Sequence, residues 1–157
     1  MKKVTWVLIF LLVANVFSAG SAAETRWIIC KPGAQVMIRS EPDKGADECG
    51  FLEVGDSFET DGKIRNGFIE AYGVGDGGGW IYCGYVVDEP PKEINERYIC
   101  AANVQAACRR WVDGPRIKGT NGWLKQGRTV KVYFRTDAWS VTNRGYIRSE
   151  WLEPDPE

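Results

Sequence analysis

Five cysteines, twenty-one carboxylates and no histidine set the chemistry open to this chain of 157 residues. Without histidine there is no Ser-His-Asp or Cys-His nucleophile pair, no imidazole general base and no imidazole metal ligand. A thiol at Cys30, Cys49, Cys83, Cys100 or Cys108 has no imidazole to activate it, so structural roles are expected for all five. No Cys-x-x-Cys pair is present, which argues against zinc. The sequence accordingly implies no metal and no cofactor. Asp and Glu are plentiful but none falls in a recognisable acid/base constellation. A small carboxylate enzyme, such as a glycan-cleaving hydrolase, is therefore the weaker reading. What remains is recognition: seven Trp, six Tyr and six Phe offer apolar faces, many with a hydrogen-bonding tip.

The first 23 residues read as an address. Met1-Lys2-Lys3 is a short basic start, Val4 to Phe17 is apolar apart from Thr5 and Asn15, and Ser18 to Ala23 are small. That is the layout of a signal peptide. An uncleaved anchor is the alternative, but an apolar run of about fourteen residues is short for a bilayer. The mature chain is expected from Glu24, exported to the periplasm or the medium, with no stable membrane insertion. Losing Lys2 and Lys3 takes the formal charge from −1 to −3. In an exported chain the five cysteines become disulfide candidates. Cys100 and Cys108 fit a cross-strand pair closed by a turn at Ala102-Asn103. Cys30 would then look to Cys49 or Cys83.

The elements that position these residues come in two sets. Shifted by about 70 residues, the sequence meets itself. Ile28-Ile29-Cys30 aligns with Tyr98-Ile99-Cys100, and Gly50-Phe51-Leu52 with Gly122-Trp123-Leu124. Gly79-Trp80-Ile81 aligns with Gly145-Tyr146-Ile147. This divides the mature chain into units 24–90 and 94–157 joined by a linker at 91–93, beside Pro90 and Pro91. Each unit reads as short strands bounded by Gly, Asp-Gly and Asn-Gly, at Val36 to Arg39, Asp56 to Thr60, Phe68 to Tyr72 and Trp80 to Tyr82. Thr129 to Arg135 alternates, with Val130, Val132 and Phe134 facing one way. No stretch carries a helical apolar stripe. The expected fold class is all-β, with two small barrels. Gly75 to Gly79 reads as a hairpin tip, since it lacks the Lys-Ser/Thr and helix context of a phosphate loop.

The ordered blocks resemble the bacterial SH3-like domains of exported proteins. The first unit supplies Val36-Met37-Ile38-Arg39-Ser40-Glu41-Pro42, Gly50 to Asp56, and Gly79-Trp80-Ile81 followed by Tyr85-Val86. The second supplies Gly122 to Gly127, Trp139-Ser140-Val141 and Gly145 to Leu152, but lacks the Arg-Ser-x-Pro turn. The resemblance implies two tandem SH3-like barrels, a groove lined by aromatics, and cell-wall peptide or glycan as ligand. Phe68, Tyr72, Trp80, Tyr82 and Tyr85 are the groove candidates of the first unit. Trp111, Trp139, Tyr146 and Trp151 are those of the second.

Charge separates the units. Residues 24–92 hold 7 bases and 13 acids, net −6; residues 93–157 hold 11 bases and 8 acids, net +3. That asymmetry suits docking of one unit on the other, or contact with an anionic wall polymer. Nucleic acid is a poor fit for an exported acidic chain. The expectation is a non-catalytic binding module for peptidoglycan; the alternative is a module that recruits or regulates an exported protein partner.

Overall fold

The computed structural model describes residues 22–156; most of the expected signal peptide lies outside the described residues. The described chain is all-β, with three single-turn 3-10 segments and no longer helix. β1 (Glu24–Ile28), β2 (Val36–Arg39), β3 (Glu48–Leu52), β4 (Ser57–Thr60), β5 (Ile64–Arg65), β6 (Phe68–Tyr72), β7 (Gly78–Tyr82) and β8 (Val86–Val87) form one antiparallel sheet. Its path is β3-β2-β7-β6-β4-β1-β8, with β5 added beside β6. The remaining strands are β9 (Lys92–Cys100), β10 (Gln105–Ala107), β11 (Trp123–Lys125), β12 (Thr129–Arg135), β13 (Trp139–Thr142), β14 (Gly145–Arg148) and β15 (Leu152–Pro154). They form the sheet β14-β13-β12-β9-β15 and the hairpin β10-β11. A bridge from Arg109 to Tyr146 links that hairpin to β14. With the bridge, the second half traces the strand order of the first, and a 3-10 turn precedes the last strand in both, at Cys83–Tyr85 and Ser149–Trp151. This path is consistent with an SH3-like fold. Each path has two ends, so the small barrels expected are open ones. Lys92 and Glu93, read from composition as linker, pair with Arg135 and Phe134 as the start of β9.

Hydrogen bonding fixes how the halves correspond. Ile28 donates its N–H to Asp56 O and accepts from Gly55 N; Cys100 donates to Arg128 O, and its neighbour bond is from Gly127 N. Cys100 thus stands where Ile28 stands, two residues from the partner that sequence matching gives it. A slip of two preserves the face of a strand, so the hydrophobic pattern could not reveal it. Arg39 pairs with Trp80 as Arg109 pairs with Tyr146, which puts Cys108 in the place of Ile38.

This explains the cysteines. The expected Cys100–Cys108 bond is not formed, and all five thiols are free. β9 pairs with β12 and β15, and β10 pairs with β11, so the two residues are not cross-strand neighbours. They fill the core of the second half where isoleucines fill the first. A buried thiol packs as a small apolar group. Cys100 Sγ rests 3.4 Å from Leu124 O, and Cys30 Sγ lies 3.5 Å from Ala34 O.

Each half has its own core, centred on Ile38 and Ile81 in the first and on Leu124, Val132 and Ile147 in the second. A third cluster belongs to both: Ile29 and Val87 from the first half pack with Trp139, Val141 and Tyr146 from the second. A bulge between Val132 and Phe134 serves this division. Val130 and Val132 enter the second core, while Phe134 packs against the shared cluster instead of following their face. Polar bonds stitch the same boundary. Tyr146 Oη donates to Ile29 O at 3.2 Å, Val112 N to Gly84 O at 2.9 Å, and Asp137 N to the Glu89 carboxylate.

Two substitutions separate packing from hydrogen bonding at this boundary. Trp139→Ala empties the shared cluster and should cost about 3–5 kcal/mol in urea unfolding. Tyr146→Phe keeps the ring but strips the donor from Ile29 O, and should cost about 1–2 kcal/mol. Equal losses in the two variants would show that the boundary is not packed as described.

Candidate functional site

The aromatics named from sequence do not form one groove per half. Phe68, Tyr82 and Tyr85 of the first half meet Trp111 of the second in one groove of about 230 Å³. Phe68 opens β6 and Tyr82 closes β7 directly opposite, so their rings meet edge to face at 5.4 Å. Tyr85 sits on the 3-10 turn that follows, 6.0 Å from Tyr82. Trp111 arrives from the loop after β10 and meets Tyr82 edge-on at 5.6 Å. Such T-shaped pairs satisfy the ring quadrupoles and hold each ring in a fixed pose.

Trp111 is held by two glycines. A Cβ on Gly84 would lie 2.5 Å from the indole Cδ1, and one on Gly114 would collide with the same ring. The absence of side chains at both lets the indole lie flat against backbone from each half. Arg109 braces that loop from below, donating through Nη1 to Gly114 O at 2.7 Å.

The opposite wall is the loop between β2 and β3. Arg39 fixes it with bonds to Ala46 O at 3.1 Å and Glu48 at 3.0 Å, and Asn66 Nδ2 reaches Pro42 O at 3.3 Å. Held this way, the loop carries Lys44 over the groove, with Nζ 5.2 Å from the Tyr82 ring centre and 5.9 Å from that of Trp111. An ammonium over two aromatic faces is attracted by both.

A second recess of about 280 Å³ shares Gln35, Val36 and Tyr85 with the first and runs on to Lys31, Arg110 and Tyr146, with Cys30 at its floor. Burial raises the Tyr85 phenol and holds that of Tyr146 well above its usual range. Burial likewise pushes the Cys30 thiol up to about 11. A thiol so placed is a poor nucleophile.

The other sequence candidates fall elsewhere. Trp80 and Trp139 are 8% and 3% exposed and belong to the interior, each facing a cation: Lys63 at 5.6 Å and Arg148 at 4.5 Å. Tyr146, 2% exposed, shows only its edge to the second recess. Tyr72 and Trp151, 39% and 41% exposed, line neither recess. The second half has no counterpart of the Phe68–Tyr82 pair. Arg148 occupies the position of Tyr82 and stacks on Trp139, which is buried in the shared cluster and hydrogen-bonded to Thr136. Sequence reasoning missed Lys44, Lys31 and Arg110 as groove residues, because nothing in a lone base on a loop marks which surface it overhangs. Among the described residues no cluster of three or more His, Cys, Asp or Glu is placed to hold a metal, and no helix is long and apolar enough to cross a membrane.

No family model matches the chain, and no curated protein matches it. Among solved structures it is similar to NlpC1 from Trichomonas vaginalis, at 18% identity, with 95% of this chain and 51% of that one covered and a TM-score of 0.34. It is also similar to NlpC2 from the same organism, at 17% identity, with 86% and 49% covered and a TM-score of 0.32. The chain thus spans about half the length of these structures.

The Cys30 thiol gives a pH test. Its native value lies above the unfolded one, so its contribution is fully present below about pH 9 and is lost as pH rises towards 11. Urea midpoints should fall over that window, and Cys30→Ala should flatten the fall. A fall of the same size in that variant would place the cause elsewhere.

Proposed function

We propose that this protein is an exported, non-catalytic binding module that recognises cell-wall peptidoglycan. The observation that carries the reading is the groove itself. It has a floor of three first-half aromatics, a wall supplied by Trp111, and no carboxylate or activated thiol in its lining. Fixed rings with polar tips bind extended chains by stacking and hydrogen bonding, with little side-chain entropy to lose. The resemblance of the sequence blocks to bacterial SH3-like domains supports a wall ligand, and the leader-like first 23 residues support export. Recruitment of an exported protein partner through the same groove is the second reading, since the aromatic floor suits a peptide segment equally.

Residues 24–157 should co-sediment saturably with purified peptidoglycan. A Tyr82→Ala, Trp111→Ala double variant that remains folded by circular dichroism should lose at least tenfold in affinity. Wall material should be recovered without soluble fragments, as a non-catalytic module requires. Absence of pelleting above a soluble control would discard the wall ligand and leave the protein-partner reading. Expressed in full in a bacterium, the chain should be recovered outside the cytoplasm with Glu24 as its first residue; a cytoplasmic chain retaining Met1 would count against export.

A further inference from the structure

The two recesses are neighbours that share Gln35, Val36 and Tyr85 in their linings, and together they make a groove of two arms. Its charge is lopsided. The first half carries 7 bases against 13 acids. Three of those bases, Lys31, Arg39 and Lys44, line the groove, and none of the acids does. The second half adds Arg110. Arg39 is engaged by Glu48, but Lys31, Lys44 and Arg110 are exposed and make no ion pair among the described residues. In a chain of net acidic charge, bases left without carboxylate partners along one aromatic groove form a local positive field on a negative body.

From this we infer that the groove is a composite site, built jointly by both halves, that selects an acidic peptide by its carboxylates. Lys44 stands at one end, over Tyr82 and Trp111. Lys31 and Arg110 stand at the other, beside Tyr85 and Tyr146. The inference rests on the peptidoglycan reading and names the part of the polymer recognised: the stem peptide, through carboxylates left free at its side chain and its C-terminus. The neutral glycan backbone would gain nothing from these bases. An apolar stretch between the two charged ends lies over Val36 and the tyrosine rings, which places one carboxylate near each end. The arms, at about 230 and 280 Å³, each fall just under the roughly 300–1,000 Å³ of ordinary ligand pockets. The Lys44 ammonium, resting on aromatic faces in the empty groove, exchanges that attraction for a stronger charge-assisted bond when a carboxylate enters.

The test is a titration of residues 24–157 with a synthetic stem pentapeptide carrying both carboxylates free. The same peptide with both converted to amides is run in parallel, beside co-sedimentation with whole peptidoglycan. The free acid should bind at least tenfold more tightly than the amide, and the difference should shrink as salt rises. Lys31→Gln, Lys44→Gln and Arg110→Gln, all at exposed positions, should each lower affinity for the acid by a larger factor than for the amide. Lys118→Gln, a charge change outside the groove lining, should do neither. Equal binding of acid and amide, with peptidoglycan still pelleting the protein, would overturn carboxylate selection and leave the wall reading standing. Preference for a glycerol-phosphate polymer over the peptide acid at these same residues would overturn the peptide assignment. No binding to peptidoglycan or to either peptide would remove both readings together.

Discussion

The boundary between the halves is the constraint on which the rest of the molecule turns. Small β-units of about 60 residues bury too little apolar surface to be secure alone. Here each half hands part of its surface to the other. Ile29 and Val87 pack on Trp139, Val141 and Tyr146, and the Tyr146 hydroxyl reaches back to the Ile29 carbonyl. The hydroxyl matters because the contact is otherwise apolar. A carbonyl enclosed there would lose its water partner, and the phenol replaces it. Burial raises that phenol further above its usual range, so the donor persists into alkaline solution.

One consequence is that the halves have diverged in role while keeping one strand path. In the first, Phe68 and Tyr82 face each other across β6 and β7; Phe68, 5% exposed, backs Tyr82, which stays half-buried at the groove. In the second, Trp139 and Arg148 hold the matching positions, and the Trp is spent on the shared cluster. The aromatic that the second half contributes to the groove, Trp111, comes instead from a loop with no aromatic equivalent in the first. It lies against Gly84 and Gly114 because neither has a Cβ to hold it off. The docking of the halves and the lining of the groove thus draw on one set of contacts.

The strands and their all-β character were legible because alternation and turn residues are local properties. Val36–Arg39 and Phe68–Tyr72 appear in the fold with the bounds that the sequence suggests. The bulge in β12 was not legible. It depends on Glu93 and Glu96 of β9 sitting across from Phe134 and Val132, a pairing made by distant residues. The cysteines misled for a related reason: spacing suggested a hairpin, but β10 turns away from β9 to pair with β11. Of the groove lining, Phe68, Tyr82 and Tyr85 were legible as aromatics at the start of β6, the end of β7 and the turn after it. That Trp111 would join them, and that Trp80 and Trp139 would be interior, depended on how one half lies on the other, which no periodicity encodes.

The place of Trp111 also bears on cooperativity. A ligand held between Tyr82 and Trp111 touches both halves, so its binding energy opposes the loss of either one. Mass action then stabilises the pair as a unit, by an amount that grows with the logarithm of ligand concentration. Two sheets already joined through the shared cluster would be held together more strongly with the groove filled. The groove is therefore also a clasp, and occupancy would be felt in the exchange of backbone amides far from it, on β12 and β9 as much as on β6 and β7.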